Sequence, residues 1–156
     1  MNLSKKSRYG ITALIDLAVY ARNQCVQLSS IAERNKISVK YLEQIFSGLR
    51  RAGLVKSIKG PQGGYLLAKS PESITVADVI YALDGSYLLE DERSVVGGAD
   101  EKGISTAIQK LLIEQMNDQT DKLLKQLTLK TLVDSSLEYS QSGQEMYLSL
   151  IHISEP

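Results

Sequence analysis

Residues 29–68 leave this chain few ways to fold. "SSIAERNKISVKYLEQIFSGLRRAG" carries two helical patterns only a few residues apart, and "LVKSIKGPQGGYLLA" follows at once as two β-rich runs about a glycine-rich connection. In the second helical pattern, expected over residues 39–52, Leu42, Ile45, Phe46 and Leu49 recur with the period of a helix and make one apolar face. Lys40, Glu43, Gln44, Ser47 and Arg51 fall on the other side, with Tyr41 near the boundary. Ser38 is a good N-cap for this helix, and Gly53 is placed to take the left-handed conformation at its end. The first helix is shorter, with Ser30 three residues before Glu33 in the spacing of a capping box. Two helices about a tight turn, the second presenting long hydrogen-bonding side chains, read as a helix-turn-helix.

The strand candidates are residues 54–58 and 64–68. A helix-turn-helix followed directly by a β-hairpin is a winged helix, and the hairpin tip explains its own composition. Gly60, Gly63 and Gly64 permit tight turns and close approach, while Pro61 restrains the tip. A tip with so little bulk can approach phosphates or enter a minor groove roughly 6 Å wide.

Around this unit the chain adds a helix expected over residues 5–22, striped by Ile11, Leu14, Ile15, Ala18 and Ala21. Another is marked by Thr75 three residues before Asp78, by an apolar face of Val76, Val79, Ile80 and Leu83, and by Gly85 at its end. Residues 86–103 are acidic and glycine-containing and read as a mobile loop. A long amphipathic helix is expected over residues 104–127, with Ile104, Ile108, Leu111, Leu112, Leu123, Leu124 and Leu127 on one broad stripe. Such a stripe needs a cover, and the usual one is the same helix of a second subunit; packing on the chain's own N-terminal part is the alternative. A short helix at "TLKTLVDSS" closes the pattern. The expected organisation is therefore a winged helix-turn-helix domain at 1–85, an acidic loop at 86–103, and dimerisation and short C-terminal helices at 104–148. Residues 149–156 are out of character with what precedes them and are read as an appended or disordered tail, which sets His152 aside. The fold class is mainly α with a small β-hairpin wing.

Charge divides the same way. The chain is neutral overall, yet residues 1–70 hold twelve Lys/Arg against three Asp/Glu, and residues 71–156 hold six against fifteen. A basic half joined to an acidic one points to a polyanion partner for the first. No apolar run approaches the roughly 18 residues of a membrane span, and the first ten residues lack the apolar core of a secretory signal. A single cysteine, Cys25, excludes an internal disulfide framework and suits a reducing cytosol, so a cytoplasmic location is expected. An enzyme finds little support: no nucleophile stands at a recognisable spacing from a base, and "GPQGG" is too short and wrongly flanked for a nucleotide loop.

"SRYGITALIDLAV", "ISVKYLEQIFSGLRRAGLVKSIKGPQGGYLLAK" and "ITVADVIYALDG" together resemble one bacterial family of winged-helix regulators. That family includes the iron–sulfur cluster regulator, the nitric-oxide-sensitive repressor and the cysteine-metabolism repressor. The resemblance is strong over residues 1–83 and weaker through the long helix. It implies a homodimer crossed by the long helices, acting on a partly palindromic operator in duplex DNA, with recognition helices in major grooves roughly 34 Å apart. Carried over by position, it makes Ser38, Lys40, Tyr41, Glu43 and Gln44 the base-reading candidates. Gln44 suits adenine, Glu43 suits cytosine, and Lys40 suits guanine or phosphate. Arg50, Arg51 and Lys56, with N-terminal Lys5, Lys6 and Arg8, become phosphate anchors, and Lys59, Gly60, Pro61, Gln62 and Gly63 form the wing contact. Many members carry arginine where this chain has Lys59, and lysine lacks the planar fork. Ordinary solvated helix surface is the lesser alternative for each of these polar residues, and a winged-helix protein-interaction module is the competing class.

The cluster-bearing members hold three cysteines, often with a histidine, in the loop matching residues 86–103, where this chain has neither. No cluster and no other cofactor or metal is expected. Cys25 is then the one redox-capable group of note: the cysteine-metabolism branch implies a thiol sensor there, while a small packing residue is the plainer reading. That branch also implies cysteine synthase as a partner, and a small-molecule effector near the acidic loop is a further expectation.

Overall fold

A computed structural model describes residues 3–91 and 102–140. The tail at 149–156 and most of the acidic loop lie outside the described residues. The chain begins with α1 (Lys5–Tyr20), two residues shorter than its stripe suggested, with Ala21 as C-cap. Ser4 caps it by accepting from the Ser7 amide at 3.0 Å. The hydroxyls of Ser4 and Ser7 both donate to one carboxylate oxygen of Asp84, which ties the start of α1 to the end of a later helix. Next, α2 (Leu28–Asn35) begins earlier than the Ser30–Glu33 spacing indicated: its N-cap is Gln27, and no side chain caps it. The cause is tertiary. Val26 is held in extended conformation by a bridge to Tyr65, with the Val26 amide donating to the Tyr65 carbonyl at 3.0 Å and the Tyr65 amide donating back at 2.7 Å, so the chain is free to coil directly after it.

The turn into α3 (Val39–Arg51) passes through Lys36, which caps α2 in the left-handed conformation at φ 55°. Ser38 accepts from the Tyr41 amide at 3.1 Å as the sequence foretells, and Gly53 takes φ 77° after the helix. The wing follows as β1 (Val55–Ile58) and β2 (Gly64–Leu67), antiparallel with Val55 opposite Leu67 and Ile58 opposite Gly64. A 3₁₀ turn, Pro71–Ser73, leads to α4 (Val76–Asp84), and the expected capping box is formed: Thr75 accepts from the Asp78 amide, and Asp78 accepts from the Thr75 amide.

The core lies where α1, α2, α3 and the wing meet. Leu14, Leu17, Ile31, Leu42, Ile45, Phe46, Leu49 and Ile74 are wholly buried. Tyr65 of β2 meets Phe46 edge-on at 4.8 Å between ring centroids, so the wing is packed on the recognition helix. Leu83 fixes α4: a Cβ on Gly10 of α1 would stand 2.4 Å from one of its methyls, and a Cβ on Gly48 of α3 would stand 3.1 Å from the other. Two glycines thus open a notch that one leucine fills.

The long helix α5 runs as Ile104–Ile108, a wider π-helical turn at Gln109–Ile113, and Glu114–Gln126. Its stripe does not act as one. Leu124 and Leu127 pack on a small cluster of Val76, Ala77, Ile80 and Tyr87, whereas Ile104, Leu111, Leu112, Met116 and Leu123 stay exposed. After α5 the chain bridges back beside Thr75, the Leu129 amide donating to the Ile74 carbonyl at 2.8 Å. Residues 129–140 are helical (α6) and send Leu129 and Val133 into the main core, so part of the C-terminal segment belongs to the N-terminal unit.

Candidate nucleic-acid interface

The interface is built from α3 outward. Burial of Leu42, Ile45, Phe46 and Leu49 forces Lys40, Glu43, Gln44, Ser47, Arg50 and Arg51 to the exposed side. Ser38 and Lys40 are exposed at one end. Arg51 stands eleven residues beyond Lys40, roughly 16 Å at the helical rise, so the two ends of α3 meet different parts of any duplex. Tyr41 sits differently from the other reading candidates. It is half-buried, and its ring meets Tyr9 of α1 edge-on at 5.8 Å between centroids. Lys5 lies 5.5 Å over the Tyr9 ring, so the first turn of α1, with its exposed Lys5 and Arg8 and half-buried Lys6, is drawn to the start of α3. At the far end, Arg50 donates to the Ser57 hydroxyl at 3.3 Å and joins α3 to β1, where Lys56 is exposed.

The wing tip is set by close contacts rather than by side-chain packing. The Gly63 amide donates to the Gly60 carbonyl at 2.9 Å, closing the turn around Pro61 and Gln62, while Lys59 projects exposed. A Cβ on Gly63 would fall 2.1 Å from the Ile58 carbonyl oxygen, and one on Gly64 would fall 2.6 Å from that of Val26. Both positions therefore exclude any side chain. Cys25, half-buried, donates its thiol to the Gln62 carbonyl at 3.0 Å. It lies in a hollow of about 310 Å³ between the α1–α2 connection and the tip, lined also by Tyr20, Gln24, Gln27 and Arg34. The two readings of Cys25 thus share one location, directly under the wing.

The angle between α1 and α2 is fixed by groups that sequence reasoning did not single out. Arg34 forks onto buried Asp16 at 2.9 and 2.7 Å, and Asn35 donates to the same carboxylate at 2.9 Å. The Tyr20 ring lies 3.8 Å from the guanidinium. The hydrogen bonds to Asp16 hold the Arg34 guanidinium above its ordinary pKa. Arg34 is therefore committed to the scaffold, and the basic face relies on the cations without such partners. Lys36 is one of these, passed over in the sequence because nothing local marks a lysine for positive φ.

Residues 3–135 match the family described as Rrf2, iron-dependent transcriptional regulator. The chain belongs to the Rrf2 family. It is a DNA-binding transcriptional regulator of winged-helix architecture, as its similarity to known members also shows. The HTH-type transcriptional regulator IscR of Photorhabdus laumondii is 37% identical over 145 residues, 93% of this chain and 87% of that protein. The structure of CymR, the global cysteine regulator of B. subtilis, superimposes with a TM-score of 0.70 at 36% identity, covering 86% of this chain and 98% of that one. The oxidised form of Staphylococcus aureus CymR gives 0.66 at 38% identity, with 85% and 96% covered.

Among the described residues, the iron in the family's description finds no fitting set of ligands. Iron–sulfur clusters are held chiefly by several cysteine thiolates. This Rrf2 chain has one cysteine, under the wing with its thiol donating to the Gln62 carbonyl, and none between α4 and α5. Among the described residues no three His, Cys, Asp or Glu side chains gather as a metal site. No helix among the described residues is long and apolar enough to cross a membrane.

Proposed function

We propose that this Rrf2 protein binds a partly palindromic operator as a homodimer, acts as a repressor, and carries no iron–sulfur cluster. Ser38, Lys40, Tyr41, Glu43 and Gln44 read bases from α3, while Lys59 and the residues 60–63 track the adjoining minor groove or backbone. Lys5, Lys6, Arg8, Arg50, Arg51 and Lys56 hold phosphates. The observation that carries this reading is that α3, the first turn of α1 and the wing pack on one core while Lys5, Arg8, Lys40, Gln44, Arg50, Arg51, Lys56 and Lys59 stay exposed. The dimer is supported by the uncovered leucines of α5, which a second α5 would bury.

The signal is the thiol state of Cys25. Peroxide converts the thiol to a sulfenic acid, one peroxide oxygen ending on sulfur and the other leaving as water. The product is larger and more polar than the thiol that now donates to Gln62, so the wing tip is displaced and operator affinity falls. The oxidised crystal form of the Staphylococcus relative supports asking this of the present chain.

DNA-affinity selection on genomic fragments, with reduced and mildly oxidised protein, tests the whole reading. Palindromic sites enriched by the reduced protein, lost on oxidation and retained by Cys25→Ser are the expected result. Sites equally enriched in both states would move the signal to a small-molecule or protein effector. No enrichment above random duplex would overturn the regulator itself.

A further inference from the structure

Between the first turn of α1, the turn of the helix-turn-helix and the start of α3 lies an open hollow of about 400 Å³, lined by Lys5, Tyr9, Lys36, Ile37, Ser38 and Tyr41. We propose that it is a seat for one DNA backbone phosphate, with Lys36 as the positioning residue that sets the depth and register of α3. This rests on the DNA-binding reading above and adds to it a site and a residue.

No carboxylate lines the hollow, and neither Lys5 nor Lys36 forms an ion pair among the described residues. The hydroxyls of Tyr9 and Tyr41 form no hydrogen bond there either. Ser38 spends its oxygen as acceptor for the Tyr41 amide and keeps its hydrogen to donate. Two lysines and three hydroxyl-bearing side chains therefore line one space that no carboxylate lines. That is a donor set for a phosphodiester, which offers only acceptor oxygens and one negative charge.

The framework is fixed by the edge contact of Tyr9 with Tyr41 and by Lys5 over the Tyr9 ring. Lys36 is the only described non-glycine residue at positive φ. Glycine or asparagine would cap α2 there at lower conformational cost, and lysine adds a cationic side chain to the lining of the hollow. The hollow is too open to enclose a free ion, yet it shares Ser38 and Tyr41 with the base-reading end of α3. A backbone phosphate arriving with its duplex is presented there by the bases that α3 reads. Anchoring that phosphate fixes where the first turn of α3 enters the groove.

The test measures binding of full-length protein to a random-sequence duplex across a salt series, comparing Lys36→Gln with Lys122→Gln. The latter removes the same charge from the exposed face of α5. Losing one seated phosphate lowers the log–log salt slope by about 0.9 per protomer, and affinity by roughly eightfold per protomer at about 0.1 M salt. Lys122→Gln leaves the slope at the wild-type value. Lys36→Gly separates binding from folding: it raises or preserves the thermal midpoint while losing DNA affinity as Lys36→Gln does. Wild-type protein with a steep salt slope that Lys36→Gln alters no more than Lys122→Gln does would sink the seat and leave the regulator standing. A wild type with no salt-dependent duplex binding would sink the regulator first. Inorganic phosphate, followed by phosphorus NMR, should bind only weakly. Tight saturable binding abolished by Lys36→Gln would reassign the hollow to a free anion and overturn the backbone assignment.

Discussion

Two stretches of equal length behave in opposite ways. The recognition helix α3 and the second part of α5, Glu114–Gln126, are each 13 residues long and amphipathic. The first buries Leu42, Ile45, Phe46, Gly48 and Leu49, whereas the second buries nothing fully. In α3 the apolar face is satisfied inside the chain, which frees the polar face to meet a ligand. In Glu114–Gln126 most polar residues are exposed, with Asn117 and Asp121 half-buried and bonded within the chain, and it is part of the apolar face that is uncovered. Amphipathic pattern alone therefore does not say which face of a helix does the work. What decides is whether the rest of the chain can reach the apolar side.

The sharpest way to break that comparison is to remove the centre of the first face. Phe46→Ala takes a wholly buried ring from the main core, where it meets Tyr65, and should cost about 3–5 kcal/mol. Urea unfolding should show the loss in the midpoint with little change in slope, and duplex binding should disappear at temperatures where the wild type is folded. A loss below about 1 kcal/mol would mean that α3 is not held as the packing implies.

Next in size is the wing. Gly64→Ala drives a methyl against the Val26 carbonyl and breaks the bridge between the α1–α2 connection and β2. The expected destabilisation is about 1–3 kcal/mol, with DNA affinity lost even where the protein remains folded. Hydrogen exchange at the Val26 and Tyr65 amides checks it directly, since those two hydrogen bonds should open while the α3 amides stay protected.

These two positions also mark how far the sequence could be read. The apolar period of α3, its Ser38 cap and the Thr75–Asp78 box are local signals, and each appears in the structure where local chemistry puts it. The glycines of the tip were legible as a turn, but not as the place where Val26 passes, because a bridge across 39 residues leaves no local trace. The start of α2 departs from its local Ser30–Glu33 signal for the same reason. Asp16, Arg34 and Asn35 look like ordinary surface residues until the crossing of α1 and α2 brings them together. Lys36 carries no local signal, because its left-handed backbone is imposed by the turn rather than chosen by the residue. Leu129 and Val133 fall in the short C-terminal helix, outside the expected winged-helix domain, and only the return of the chain beside Thr75 makes them core.

A smaller effect, confined to high pH, probes the junction between the two regions. Tyr87, buried against α4 and α5, donates to Asp121, and Asp121 is paired with Lys125 at 3.0 Å. Burial, and then the hydrogen bond to Asp121, raise the Tyr87 phenol far above its ordinary value. The native state thus keeps a proton that the unfolded chain releases once pH passes about 10. The stability this group contributes is present below that pH and declines above it. Tyr87→Phe should therefore flatten the alkaline fall in thermal midpoint relative to the wild type. Parallel curves for the two proteins would show that Tyr87 is not held between α4 and α5.

The smallest change in the chain's own stability should come from the second helix of the comparison. Leu111 is 78% exposed, so Leu111→Glu removes almost no buried surface from the monomer and should alter its unfolding by no more than about 0.5 kcal/mol. Assembly should respond in the opposite sense. In the proposed dimer, a glutamate on the exposed apolar stripe of α5 would have to be desolvated, which favours the separated protomers. Sedimentation across a protein dilution series should show the variant dissociating at concentrations where the wild type remains paired. Operator affinity should fall with it, because two half-sites then bind as independent protomers rather than one linked pair. If the variant instead unfolds at lower urea at every protein concentration, the exposed leucines of α5 are serving their own chain. The contrast between a helix covered from within and one covered by a partner would then be lost.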